Sequence, residues 1–253
     1  MKRADQLLQL QAGLPSRTIA QQLIAANQVE VLVGEQWRAL RKPGLKLPED
    51  TMLRVLDRSA LRYASRGGRK LAGALAHCGL SVRDQRVLDV GQSTGGFTDA
   101  LLQAGAAHVV GIDVGHDQLR PNLRQDPRVT CLEGINARAL PKAMPAEHRP
   151  SAGFSHVVMD VSFISQRQVL AAILTLTAPD ATLLTLVKPQ FEVGKAFVGK
   201  GGIVRDNAQL ARVRTLIIEH YQHLGLQVHD FFDSPIHGGD GNREYFIFAS
   251  RNP

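Results

Sequence analysis

The stretch Val87-Leu-Asp-Val-Gly-Gln-Ser-Thr-Gly-Gly-Phe-Thr98 runs from an apolar strand through a glycine-rich turn into a helix start, and Val109-Val-Gly-Ile-Asp113 reads as a second strand closed by a carboxylate. Such a pattern cradles a nucleotide-type cofactor. Gly91, Gly95 and Gly96 let the backbone turn tightly and approach a ligand, while Asp113, 22 positions after Gly91, can accept both hydroxyls of a ribose. Asp89, Ser93, Thr94 and Phe97 complete the candidate cofactor-binding set around the turn. The spacing is Gly-x-x-x-Gly-Gly rather than Gly-x-Gly-x-x-Gly, and no Gly-Lys-Ser/Thr follows to hold phosphates. This favours S-adenosylmethionine over NAD or ATP.

Downstream and upstream of this turn, apolar strands alternate with amphipathic helices. Strands are expected near Arg86–Val90, His108–Asp113, Val129–Glu133, His156–Asp160, Ala181–Val187, Gln227–Asp233 and Glu244–Ala249. Helices are expected near Thr94–Gln103, His116–Leu123, Gln166–Leu176 and Asp206–Leu224. Alternation of this kind specifies an α/β fold with a mostly parallel sheet covered on both faces, and ligands in such sheets lie beyond the carboxyl ends of the strands. Asp160 and Lys188 end strongly apolar runs at that edge, so they read as lining a site rather than decorating a surface. Lys70, ahead of the first helix of this domain, and Glu244, opening the last strand, are candidates to join them. The segment Gln190–Gly202, rich in glycine, reads as a mobile lid over the cleft.

The first 58 residues are of another kind. Ala4, Leu7 and Leu8, then Ile19, Leu23 and Ile24, recur at helical spacing, Val29–Val33 alternates, and Thr51–Leu56 adds a further strand. Ser16 is placed to cap the second helix. The net charge of +7 lies entirely within residues 1–70, which hold thirteen Lys and Arg against six Asp and Glu, while the remainder is balanced. Segregated basic charge points to an anionic polymer as partner. Arg3, Ser16, Arg17, Arg41, Lys42, Lys46 and, past the linker, Arg66 are the candidate phosphate contacts. With only 5% aromatic residues, phosphate and shape contacts are favoured over base stacking. The two cysteines, Cys78 and Cys131, suggest neither a disulfide framework nor a zinc site, and no apolar run approaches a membrane span, so a reducing cytoplasm is expected.

Residues 1–58 resemble the S4-type RNA-binding module, although Asn27 stands where a glycine is usual after the second helix. Across nearly the whole chain, Ser65-Arg-Gly-Gly-Arg-Lys-Leu71, Leu88-Asp-Val-Gly-Gln-Ser-Thr-Gly-Gly-Phe-Thr-Asp99, Asp160-Val-Ser-Phe-Ile-Ser165, Lys188-Pro-Gln-Phe-Glu-Val-Gly194, Val198-Gly-Lys-Gly-Gly-Ile-Val-Arg205 and Gly241-Asn-Arg-Glu-Tyr245 resemble the TlyA (haemolysin A) family of ribosomal RNA ribose 2′-O-methyltransferases. The resemblance implies an S4-like domain over 1–58, a linker over 59–66 and an FtsJ-like methyltransferase domain over 67–253. It implies a Rossmann-like sheet of seven strands with the last antiparallel, and a catalytic tetrad of Lys70, Asp160, Lys188 and Glu244. Asn136 falls where an acid or amide meets the adenine. The implied substrate is cytidine in 16S or 23S RNA, naked or within a subunit; the competing readings are a ribosome-assembly factor with an inactive methyltransferase domain and a cytolysin. Ribose methylation moves no phosphoryl group, so no metal is required. Two departures from the family pattern are Gln92, where a small residue is usual, and Pro121, where an aromatic is common. Gln92 is expected either to narrow the cofactor entrance or to point outward.

Overall fold

Helical spacing buries one stripe of each of two short helices, α1 (Ala4–Ala12) and α2 (Arg17–Ala25), with Ala4, Leu8, Ala20, Leu23 and Ile24 meeting Val29, Val31 and Leu40 in a small core. In this computed structural model residues 1–56, 62–238 and 241–251 are described, and the chain separates into two units, Met1–Arg62 and Tyr63–Pro253. The Ser16 hydroxyl accepts from the Ile19 amide at 3.4 Å, capping α2 as its residue type demands. Asn27 takes φ 55°, the left-handed turn that a glycine would otherwise supply. Strand β1 (Lys2–Arg3) pairs antiparallel with β4 (Lys46–Leu47), and β2 (Val29–Val33) lies between β3 (Gln36–Ala39) and β5 (Leu53–Val55).

The second unit opens with α3 (Arg66–Cys78), capped by Ser65. Its sheet comprises β6 (Arg86–Val90), β7 (His108–Ile112), β8 (Val129–Leu132), β9 (Phe154–Met159), β10 (Thr177–Val187), β11 (Leu226–Asp233) and β12 (Tyr245–Arg251) in the order β11-β12-β10-β9-β6-β7-β8. Pairings from β10 through β9 and β6 to β8 are parallel, while β12 runs antiparallel to both its neighbours. Consecutive strand residues enter different cores: Val87, Val109 and Val158 join Leu71, Ala74 and Phe97, whereas Leu88, Val110 and Val157 join Leu170, Val213 and Ile217. That period of two is what coverage on both faces requires. The helices are α4 (Gly96–Gln103), α5 (Pro121–Arg124), α6 (Leu170–Leu174), α7 (Pro189–Glu192) and α8 (Asn207–His223).

Three expectations are corrected. The helix expected over His116–Leu123 is only the single turn α5, because Asp117 takes φ 56° and Pro121, lacking an amide hydrogen, can only begin a helix. The helix expected over Gln166–Leu176 is split into a 3₁₀ turn, Gln166–Gln168, and α6. In the expected linker, residues 59–61 lie outside the described residues, but Tyr63 and Ala64 are buried against Leu71 and Phe97, and the Ala64 amide donates to Asp99 Oδ2 at 2.6 Å. This stretch is therefore part of the second unit's core.

Candidate active site

Parallel strands β6, β9 and β10 deliver their carboxyl ends side by side, so the residues that follow them are neighbours by construction. Asp160 follows β9 and Lys188 follows β10, and their carboxylate and ammonium form an ion pair. Lys188 Nζ also donates to Ser162 Oγ at 2.9 Å. Because β12 runs antiparallel to β10 with Tyr245 opposite Val187, Glu244 just before it arrives beside Lys188. Glu244 Oε2 in turn accepts from Lys70 Nζ, on α3, at 2.5 Å, and both side chains are buried. Two lysine–carboxylate pairs thus sit together at the strand ends, and the four residues that the sequence nominated do converge.

A second tie joins the same two loops further along. Glu192, buried at the end of α7, accepts from Ser165 Oγ at 2.5 Å and from the Gln166 amide at 2.9 Å. This holds the chain after Asp160 against the chain after Lys188. The carboxyl end of the segment expected to be a mobile lid is tied to the chain before β12: Asn242 Nδ2 donates to the Gly202 carbonyl at 2.9 Å, and its Oδ1 accepts from the Val204 amide at 3.1 Å. Asn242 is itself buried and lies two residues before Glu244.

The glycine turn abuts this group. Gly91 has φ 87°, and a Cβ there would lie 2.4 Å from the Asp160 carbonyl oxygen, so both backbone conformation and space demand glycine. Next to it a cleft of about 450 Å³ is lined by Gly91, Ser93, Asp113, Asn136 and Asp160 on its polar side, and by Val114, Ile135, Ile164 and Val169 on its apolar side. Asp113 Oδ2 accepts from the Ser93 amide at 2.8 Å and Oδ1 from the Gly115 amide at 2.7 Å, which fixes the carboxylate at the rim and leaves each oxygen a further lone pair. A cleft lined by apolar side chains together with a fixed carboxylate and an amide side chain suits an adenosine, so the residues present fit S-adenosylmethionine.

Not all of the cofactor-binding set lines the cleft. Gly91, Ser93, Asp113 and Asn136 do; Asp89, Thr94, Gly95, Gly96 and Phe97 do not. Gly95, at φ 91°, packs against Leu119 and Leu123, while Gly96 makes room for the Ser65 hydroxyl and Phe97 is core. Asp89 is sealed beneath the turn, where its Oδ2 accepts from Thr98 Oγ1 at 2.7 Å. Burial pushes its carboxyl up to about 7, against the Thr98 hydrogen bond and with help from the negative charges of Asp160 and Asp113. Gln92 neither narrows the entrance nor points outward: it is buried, its Nε2 donates to Thr98 Oγ1 at 2.9 Å, and it fills the space where a Gly111 side chain would stand. Phe163 escaped the sequence reading although it lies in a quoted motif. It lines the cleft at φ 64°, 92% exposed, with its ring 5.4 Å from that of Phe191.

In the first unit Arg3 and Arg17 both bond to Asp5, and Lys46 lies directly opposite Arg3 across the β1–β4 pair. Arg41 and Lys42 are exposed, whereas the Ser16 hydroxyl is engaged in its cap. Arg66 belongs to the second unit, where its Nη2 donates to the His237 carbonyl at 2.7 Å.

The doubly covered sheet and the cleft at its carboxyl edge define a Rossmann-like methyltransferase, and a solved S-adenosylmethionine-dependent methyltransferase from Mesorhizobium loti shares that fold at 13% identity and TM-score 0.51, covering 71% of this chain and 96% of that one. The chain belongs to the FtsJ-like methyltransferase family, whose profile matches residues 63–251. It is 43% identical over 234 residues to the 16S/23S rRNA (cytidine-2′-O)-methyltransferase TlyA of Mycobacterium tuberculosis, covering 92% of this chain and 84% of that protein. A solved protein from Streptococcus thermophilus that carries the hemolysin name is 37% identical, with TM-score 0.76 over 99% of this chain and 88% of that one.

Proposed function

We propose that this chain transfers a methyl group from S-adenosylmethionine to the ribose 2′-hydroxyl of a cytidine in ribosomal RNA. The observation that carries this reading is the pair of lysine–carboxylate couples, Lys70–Glu244 and Lys188–Asp160, set at the strand ends beside an adenosine-sized cleft. The likeness to the mycobacterial rRNA methyltransferase supports it and supplies the substrate class. Met1–Arg62, whose ten Lys and Arg outnumber six Asp and Glu, is read as an S4-type unit that holds the RNA. Among the described residues no helix is long and apolar enough to cross a membrane.

The cofactor, when bound, supplies an already activated methyl group. What remains for the protein is to align a ribose hydroxyl and remove its proton. Lys188 is the general base in this scheme, with its amine held by Asp160 and Ser162. Glu244 anchors Lys70, and Asp113 with Asn136 orients the adenosine. Incubating the protein with 16S and 23S RNA, free and within subunits, and mapping the product should place the new methyl on a ribose oxygen. Methylation on a base nitrogen or carbon would overturn the assignment.

Asp113→Ala should weaken binding of S-adenosylmethionine by about tenfold to a hundredfold, the range for lost hydrogen bonds to a charged acceptor. Calorimetry on the full chain checks this, and unchanged affinity would remove Asp113 from the cofactor site.

A further inference from the structure

Asp5 is a carboxylate where the pattern of α1 calls for no charge: it occupies the first turn and is fully buried. A buried carboxylate is costly unless every lone pair is used, and here they are. Oδ1 accepts from Arg3 Nε at 3.1 Å and from the Gln6 amide at 2.9 Å, and Oδ2 accepts from Arg3 Nη2 at 3.0 Å, Arg17 Nε at 2.9 Å and Gln21 Nε2 at 2.7 Å. These bonds outweigh burial and hold the carboxyl well below the usual carboxylate range. Three elements meet at this one group: Arg3 comes from β1, Asp5 from α1, and Arg17 and Gln21 from α2.

The partners are not buried with it. Arg3 and Arg17 keep 41% and 44% of their side chains exposed. Arg3 is gripped through both Nε and Nη2, while Arg17 spends only Nε, so neither Arg17 Nη nitrogen nor Arg3 Nη1 has a hydrogen-bond acceptor among the described residues. The neighbouring turn is shaped around them: the Asp5 amide donates to the Pro43 carbonyl at 3.0 Å, and a Cβ at Gly44 would lie 3.3 Å from Arg3 Nη1. Lys46, on β4, stands opposite Arg3, and Arg41 and Lys42 precede the same turn. Two guanidiniums and one carboxylate leave a net positive node at a basic corner.

We infer that Asp5 is a positioning residue for RNA, holding the Arg3 and Arg17 guanidiniums as a preformed pair that grips the phosphate backbone. The inference rests on the reading of Met1–Arg62 as the RNA-holding unit. A free arginine loses rotamer freedom each time it binds a phosphate; one already held at Nε presents its outer nitrogens with that freedom already removed. Two such groups at fixed separation grip successive phosphates better than the same charge on loose side chains. The carboxylate subtracts a charge but adds geometry, and its burial shields it from the RNA.

The test uses the full chain and fragments of 16S and 23S RNA, with affinity measured against salt concentration. Asp5→Asn cannot hold both guanidiniums, and although it makes the protein more positive it should lower affinity by about tenfold and reduce the slope of log affinity against log salt by about 1, since each phosphate contact contributes roughly 0.7–0.9. Arg3→Lys, which preserves charge and fold but not the two-pronged bond, should do the same in part. In an Arg3→Ala/Arg17→Ala background Asp5→Asn should change nothing further, whereas a purely structural Asp5 would add its own loss there. Asp5→Asn and Arg3→Lys with wild-type affinity and slope, against a crippled Arg3→Ala/Arg17→Ala chain, would overturn the positioning role while leaving the unit as the RNA holder. Undiminished binding by the Arg3→Ala/Arg17→Ala chain would instead overturn the reading on which the inference stands.

Discussion

Replacing Lys188 by arginine should abolish methyl transfer while leaving cofactor and RNA affinity close to wild type. Guanidinium keeps the positive charge and can still pair with Asp160, but it stays protonated and cannot take a proton from a ribose hydroxyl. General bases contribute typically 10²–10⁴-fold, so single-turnover rates at saturating ligand should fall at least that far, and Lys188→Ala should fall as far again through lost alignment. The pairing with Ser162 gives an internal comparison: Ser162→Ala removes one hydrogen bond to the amine and should cost far less than the loss of the base itself. Substantial turnover by the arginine variant would leave Lys188 as an electrostatic anchor and transfer proton removal elsewhere.

The second large effect concerns Asp89 and is one of stability. Its carboxyl is raised in the folded chain to about 7 from an ordinary value of 3.8. Between those values the folded state holds a proton that the unfolded state has released, so the Asp89 contribution favours folding at low pH and is lost progressively as pH rises through 7. Asp89→Asn removes this dependence. Urea denaturation should show the variant gaining on wild type from pH 4 to pH 7 and then holding a constant advantage, with an upper bound on the order of 4 kcal/mol for a shift of this size. Because the carboxyl is sealed beneath the turn, cofactor affinity should stay unchanged. A parallel pH profile for the two proteins would show that the buried carboxylate is charged and compensated.

The contrast between Asp89 and Asp113 marks where sequence pattern stops being informative. Both are acids at the ends of apolar strands near one glycine turn, and both looked like cofactor ligands; strand polarity and glycine spacing place the turn but not the depth of each side chain. Asp113 falls one residue beyond β7 and reaches the cleft, whereas Asp89 lies within β6 and is swallowed by it. The same limit hid Gln92, whose inward path depends on the missing side chain of Gly111, a residue 19 positions away on another strand. Strand-end charges were legible because a parallel sheet forces carboxyl ends together regardless of side-chain detail, and so Asp160 and Lys188 stood out. The Asp5 node was not legible, since its meaning comes from Arg17 and Gln21 across a helix–helix contact rather than from any local period. Likewise the glycines of 199–202 suggested freedom, and only the distant Asn242 reveals how that segment is held.

Strand β12 has a consequence for how the molecule is made. It is inserted between β10 and β11, both of which precede it in the chain, so the sheet cannot assemble in the order of synthesis. Until residues 245–251 arrive, β11 has no partner and β10 presents a long, apolar, unpaired edge, the kind of surface on which chains associate wrongly. Glu244 arrives immediately before the same strand. Closure of the sheet and completion of the proposed catalytic group are therefore one event, and a chain that has not finished folding lacks the Glu244 partner of Lys70.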